Sequence, residues 1–362
     1  MKLDLLFVGS KFIYNKSLQE YVIREIEKKV DFISSITFFK EKDNSLFLYL
    51  EQELNTSNRI MIVTTKQTFT TVGKLICTVT SDNQVLRGSF LIPQKSSEYK
   101  EGNYLLNYKD SHINVLHIDE MQKMPEILLD NEELSVSVHI FDDDKVNLYT
   151  QLNPIAQTYE LSIELVTISG GWFLLNIVTK KYGNIPKFLN AIKKNLEGKL
   201  IATSNIIEHI IERLSKVNKK ISFAESCTGG LLSYYFTQQN GASKILDGSL
   251  ITYSNELKES WLSVDNKILE RYGAVSRDVV EEMSQGVMNV TNADYTVSIS
   301  GIAGDGGGTK EKPVGTVFIG VRTESIHKEM KFLFKGDRNY VQQQSVLEAL
   351  KMVLFIDKEI FF

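Results

Sequence analysis

The residues best equipped for chemistry crowd into one short stretch, Glu225-Ser226-Cys227-Thr228-Gly229-Gly230. Ser226, Cys227 and Thr228 are three candidate nucleophiles or hydrogen-bond donors, with Glu225 just outside them. Gly229 and Gly230 let the backbone come close to a ligand with no side chain in the way. Ile221 to Ala224 read as a short buried strand, and Leu231, Leu232, Tyr235 and Phe236 recur at helical spacing. The stretch is therefore a strand-to-helix turn. The unpaired N–H groups of a first helical turn can hold an anion or a developing negative charge.

A serine nucleophile needs a base. The five histidines, His112, His117, His139, His209 and His327, all lie away from the polar strand-end segments of this part of the chain, which argues against a Ser-His-Asp triad. A lysine is a known substitute. Gly248 to Tyr253 read as a strand that runs into Ser254-Asn255-Glu256-Leu257-Lys258, where Ser254 or Asn255 is a good N-cap. Lys258 then sits near the first turn of a helix, where the dipole and partial burial both disfavour its ammonium form. Tyr253 is placed to complete a relay. Cys227 is the rival nucleophile, although small cysteines more often pack than react.

A second chemical signal lies at the end of a strand with alternating Tyr295, Val297 and Ile299: Gly301-Ile302-Ala303-Gly304-Asp305-Gly306-Gly307-Gly308-Thr309. Five glycines between Gly301 and Gly308 suggest backbone N–H groups aimed at a phosphate or another anion. Gly336-Asp337-Arg338 begins the final helix, where Arg338 pairs either with a phosphate or with Asp337.

The rest of the chain must position these groups. With 362 residues and 43% hydrophobic content it has material for two or three cores. A formal charge of -4 gives no general basic field, hence no strong nucleic-acid signal, and a small molecule is the expected partner. The charged start Met1-Lys2 followed by Leu3 to Gly9 lacks the pattern of a signal peptide, and no apolar run approaches the ~20 residues of a membrane span. Cys77 and Cys227 are too far apart in sequence to suggest a disulfide framework or a cysteine zinc site. These features lead us to expect a cytoplasmic protein with no membrane partner.

Leu3 to Gly9 and Arg59 to Thr64 read as buried strands flanking a helix from Ser17 to Lys29, the pattern of a parallel α/β sheet. Of its strand ends, Thr64-Thr65-Lys66-Gln67-Thr68 has neither glycine nor carboxylate and reads as an ordinary loop. From Val136 the pattern becomes α+β: alternating Val136, Val138 and Ile140, then Asp142-Asp143-Asp144, then strands over Leu161 to Leu165 and Phe173 to Ile177, then a helix from Ile185 to Leu196. The three aspartates read as a solvated turn and not as a metal site, since adjacent side chains in a turn diverge. Thr203 or Ser204 caps the next helix. The expected domains are 1–130, 131–202 and 203–362.

Taken in order, E-S-C-T-G-G (Glu225 to Gly230), Y-S-N-E-L-K (Tyr253 to Lys258), G-A-V-S (Gly273 to Ser276), S-G-I-A-G-D-G-G-G-T (Ser300 to Thr309), E-K-P-V-G-T (Glu311 to Thr316) and G-D-R (Gly336 to Arg338) resemble the carboxy-terminal domain of the CinA family, a nicotinamide-nucleotide amidase. Asp305 departs from the proline usual there. The resemblance implies an α/β/α sandwich that hydrolyses the carboxamide of nicotinamide mononucleotide to the acid and ammonia, without cofactor or metal. It puts catalytic roles on Ser226, Tyr253 and Lys258. Ser226 either attacks the amide or orients a water. Substrate contacts would come from Glu225, Cys227, Thr228, Gly229 and Gly230 in the first turn. Gly301, Ile302, Ala303, Gly304, Gly306 and Gly307 would add theirs from the glycine-rich loop, with Arg338 beside it.

Upstream, L-F-V-G-S-K at the start resembles the family's molybdopterin-binding-like domain, and the middle module its KH-type connecting domain. The metal-dependent ADP-ribose pyrophosphatase of some members is not expected here. Ile62 to Thr70 lacks the glycines and aspartates of the corresponding motif, Val115-Leu116-His117-Ile118-Asp119-Glu120 stands where L-P-G-P-P-S-E is expected, and Ser169-Gly170-Gly171-Trp172 is not a KH-type G-x-x-G loop. The resemblance also implies a homodimer. A non-catalytic scaffold linked to competence is the alternative reading.

Overall fold

The computed structural model describes residues 3–30, 33–55, 59–119, 123–129, 135–179, 182–304 and 306–362. Its fold is mixed α/β, in two compact units, Met1–Leu134 and Ser135–Phe362.

In the first unit, the strands Leu3–Val8 and Arg59–Thr64 are buried along their whole length, as expected for strands covered on both faces. They lie side by side in parallel, with Ser35–Phe39 and Ser111–His117 parallel on their outer sides and two antiparallel strands beyond. The Thr64 strand end is closed by structure. Thr65 and Thr68 form a reciprocal capping box at the start of the helix Lys66–Thr80, which consumes amides that a ligand would otherwise use. At the neighbouring strand end the Ser10 amide donates to Glu41 Oε1 at 2.8 Å. Glu120 lies outside the described residues.

The second unit holds two sheets. Leu161–Ser169, Trp172–Thr179, Ser135–Phe141 and Leu200–Ile201 form an antiparallel sheet in that order. Between its first two strands in sequence runs a helix, Lys145–Thr158, that periodicity did not reveal because Pro154 and scattered polar residues blur its apolar face. The aspartates before it have separate structural jobs. Asp144 caps the helix through the Asn147 amide at 3.0 Å, and Asp142 pairs with Lys199 at 2.8 Å. Phe141 and Trp172 belong to the same hydrophobic core as the final helix, Arg338–Ile356.

The second sheet has the order Leu246–Ile251, Ile221–Glu225, Tyr295–Gly301, Thr316–Thr323, His327–Leu333. The first three strands are parallel and the last two antiparallel. One face packs Phe223, Tyr295, Val297 and Ile299 on the helices Ile206–Lys216 and Arg338–Ile356. The other receives the helix Arg277–Thr291 at short range. Ser298 and Thr296 there donate to helix carbonyls of Val280 and Ser284, at 2.5 and 2.9 Å, so these small polar side chains are satisfied within the packing. The helix Ile206–Lys216 is capped by Asn205, whose side chain accepts from Ile207 and Glu208, and not by Thr203 or Ser204 as sequence suggested. Ser254 caps Asn255–Leu262 and Ser276 caps Arg277–Thr291, as expected.

Candidate active site

The carboxyl ends of three parallel strands meet at one place. Ile221–Glu225 runs straight into the Ser226 turn, whose amide donates to Ile299 O at 2.9 Å on the adjacent strand. Gly229 and Gly230 take positive φ of 61° and 98°, the left-handed backbone that reverses the chain into the helix Leu231–Thr237. Ser226 ends 8% exposed at the bottom of this turn.

Lys258 reaches the same point from the helix Asn255–Leu262. Its Nζ lies 3.1 Å from Ser226 Oγ and donates to Thr252 O at 2.8 Å, with Tyr253 O and Ser254 O at 3.4 and 3.5 Å. The side chain is 1% exposed. Burial lowers its pKa below the ordinary lysine value, opposed in smaller measure by Cys227 and Glu256. A buried amine with a depressed pKa, in contact with a serine hydroxyl and anchored by carbonyls, can take a proton from that hydroxyl.

The structure corrects three expectations. Tyr253 brings its carbonyl to within 3.4 Å of Lys258 Nζ, while its side chain stands largely exposed. Thr252 is fully buried while Tyr253 is 64% exposed, because consecutive side chains of an extended segment point to opposite sides. Glu225 does not line the site: it is fully buried, and its carboxylate accepts from the amides of Gly230, Leu232 and Ser233 at 3.1, 3.1 and 2.9 Å and from Ser233 Oγ. It caps the helix from below. The helix-start amides expected to face a ligand are therefore largely occupied, and Gly229 N donates to Ser226 O at 3.1 Å. Among the described residues, the amide of Thr228 makes no hydrogen bond and is a donor left beside Ser226, whereas the Cys227 amide is turned to its own sulfur. The Thr228 hydroxyl, in a residue 3% exposed, has no partner either.

Cys227 is packed into the core at 4% exposure, and burial pushes its thiol up to about 12, the state of an inert cysteine. Its carbonyl accepts from Gln342 Nε2 at 2.7 Å. Gln342 went unnoticed in the sequence, and the signal available was its place one helical turn beyond Arg338.

The glycine-rich segment leaves the neighbouring strand at Gly301, where a Cβ would meet Val317 Cγ2 at 2.7 Å and Cys227 Sγ at 3.1 Å. That glycine brings the loop down onto the serine turn. Ile302 is tied to Thr316 and Gly315 by backbone hydrogen bonds of 2.9 and 2.7 Å. By contrast, the amides of Ala303, Gly304, Gly306 and Gly307 donate to nothing among the described residues. Asp305 lies outside them. The Arg338 guanidinium lies against this loop so closely that a Cβ on Gly304 would sit 2.8 Å from its Nε. Asp337 is engaged in capping, accepting from Tyr340 N at 2.8 Å, and Arg338 has no ion-pair or hydrogen-bond partner among the described residues. The site thus pairs a serine and a buried lysine with a patch of free amides and a free guanidinium.

The part of the chain that carries the site resembles known proteins. Residues 203–356 match the family model for the CinA C-terminal domain. A CinA-like protein of Thermotoga neapolitana is 48% identical over 146 residues, 40% of this chain and 36% of that protein. One from Thermosipho melanesiensis is 40% identical over 179 residues, 48% of this chain and 44% of the relative. The matched stretch thus spans less than half the length of either relative. Among solved structures, the competence/damage inducible protein CihA from Agrobacterium tumefaciens aligns at 32% identity and a TM-score of 0.41, covering 41% of this chain and 92% of that one. Residues 203–356 are thus a CinA C-terminal domain.

Proposed function

We propose that this domain is an amidase that hydrolyses the carboxamide of nicotinamide mononucleotide to nicotinic acid mononucleotide and ammonia. The observation that carries the reading is the buried Lys258 amine 3.1 Å from Ser226 Oγ. Neutral Lys258 accepts the Ser226 proton as Oγ bonds to the amide carbon. The carbonyl oxygen gains the negative charge, and the free amide of Thr228 is a donor available to it. Collapse of this intermediate breaks the C–N bond, and the Lys258 ammonium returns its proton to the departing nitrogen, which leaves as ammonia. A water then attacks the acyl-serine with Lys258 again taking a proton, so that the acid leaves and Ser226 regains its hydrogen. Tyr253 takes part in no proton step of this scheme.

The amides of Ala303, Gly304, Gly306 and Gly307 and the Arg338 guanidinium, without partners among the described residues, support a phosphate-bearing substrate. The test is product analysis on nicotinamide mononucleotide, nicotinamide riboside and free nicotinamide in parallel. The expected result is acid from the mononucleotide, with kcat/KM falling steeply once the phosphate is missing. Equal turnover of riboside and mononucleotide would remove the loop and Arg338 from substrate recognition. No acid from any of the three above a Ser226→Ala control would overturn the amidase reading.

A further inference from the structure

Three metal-ligating side chains converge at the far edge of the same sheet. His327 Nε2 lies 3.2 Å from Glu281 Oε1 and 3.5 Å from Glu329 Oε1, and the three donor atoms all fall within 4.8 Å of one another. His327 and Glu329 stand two residues apart on the edge strand His327–Leu333 and so share a face. Glu281 comes from the helix Arg277–Thr291, which packs on that face. We propose that these residues form a binding site for a divalent transition-metal ion of the zinc class.

The two known spacings fit a shared ion. Zinc bonds of about 2.0–2.2 Å to imidazole nitrogen and carboxylate oxygen, arranged tetrahedrally, put neighbouring ligand atoms about 3.3–3.6 Å apart. The two measured separations, 3.2 and 3.5 Å, match that edge within a tenth of an ångström or so. One imidazole and two carboxylates would satisfy a dication's charge, and the exposure of His327 and Glu281, 45% and 42%, leaves the fourth position open to water. The nearest opposing charge is Arg322, whose Nη2 is 3.8 Å from Glu281 Oε1 and whose Nε is turned to Ser284 Oγ at 3.2 Å. Its positive charge moderates the affinity for a cation.

The alternative is an ion pair with a protonated histidine, the kind of inward charge that protects an edge strand from pairing with another chain. The site is remote from Ser226. Register pairs His327 with Arg322 and Tyr295 with Thr323, whereas Gly301 and Phe332 mark the other end of the sheet, roughly 17 Å along the strands. Metal binding is therefore read directly and not through turnover.

The experiment is equilibrium titration of the full chain, stripped with a chelator, with zinc and then with cobalt(II), whose visible spectrum reports tetrahedral coordination. One equivalent per chain and a tetrahedral cobalt spectrum are expected. Affinity should fall as pH is lowered, since ligand atoms must be free of protons to hold the ion. Glu329→Gln and His327→Gln, with folding checked by thermal melting, should each weaken binding by at least the ~10–100-fold that loss of even an outer-sphere partner causes. Failure to bind either ion, an octahedral cobalt spectrum, or binding unchanged in both variants, which would put the ion on other histidines, would each overturn the proposal.

Discussion

Replacing Lys258 by arginine separates a base from a mere positive charge. At pH 7.4 an unperturbed lysine, with a pKa near 10.4, is neutral in only about one molecule in a thousand, and each unit of depression raises that fraction about tenfold. Burial at 1% exposure drives the shift in that direction here. An arginine in its place stays protonated throughout, so turnover should drop by roughly the 10²–10⁴-fold that general-base catalysis contributes. The pH dependence has a definite sign. Wild-type kcat/KM should rise with pH as Lys258 deprotonates and level off above a midpoint below ~10.4, and that limb should vanish in Lys258→Arg. Linkage runs the same way. The folded pKa is the lower one, so between it and ~10.4 the unfolded chain binds more protons and stability should increase with pH. As a check on structure, Lys258→Ala should open a cavity beside Ser226 into which small primary amines can diffuse and partly restore turnover. The assay is steady-state ammonia release across pH, with thermal melting of each variant. An arginine variant with near-normal kcat would refute the base assignment, and amine rescue without a pH limb would refute its proton-transfer basis.

Four further outcomes follow from the same geometry. Glu225→Gln sets an amide donor against the Gly230, Leu232 and Ser233 amides, so it should cost about 1–3 kcal/mol for the donor left unpaired, lower the melting temperature and reduce kcat through displacement of Ser226. Arg338→Ala should raise KM for the mononucleotide roughly 10- to 150-fold with kcat kept, the equivalent of one charge-assisted hydrogen bond of about 1.5–3 kcal/mol. Gly286→Ala would put a Cβ 2.0 Å from Leu262 O at the end of the lysine-bearing helix. That backbone cannot yield cheaply, and we expect destabilisation at or above the ~1–3 kcal/mol usual for overpacking, read by denaturant titration. Cys227, 4% exposed with its thiol pushed up to about 12, should resist iodoacetamide at pH 8 in the folded state, and Cys227→Ala should retain turnover.

The parts of this protein legible in sequence are those fixed by local rules. The buried strands before Ser226 and at Arg59–Thr64, the Ser254 and Ser276 caps, and the lysine at a helix start all follow from short-range pattern. The contact between Ser226 and Lys258 was suggested by their following two strands of one sheet, and the parallel register that joins those strands brings it about. What sequence did not disclose depends on direction and on distant partners. Tyr253 is adjacent to buried Thr252 and one step of alternation turns it outward, which no motif records. Glu225 is next to the serine in the chain, yet its partners are amides five to eight residues on, below the turn. Gln342 touches the Cys227 carbonyl across 115 residues. The helix Lys145–Thr158 was hidden because its apolar stripe is interrupted by Pro154 and polar residues, leaving the period weak.

The most direct measurement is ammonia and acid released from nicotinamide mononucleotide by the purified full chain, with Ser226→Ala and Lys258→Arg assayed at the same protein concentration. The account predicts equimolar ammonia and nicotinic acid mononucleotide from the wild type and a loss of at least about a hundredfold in each variant while both still melt cooperatively. Turnover in the variants equal to that of the wild type, or no ammonia from a folded wild-type chain, would contradict it.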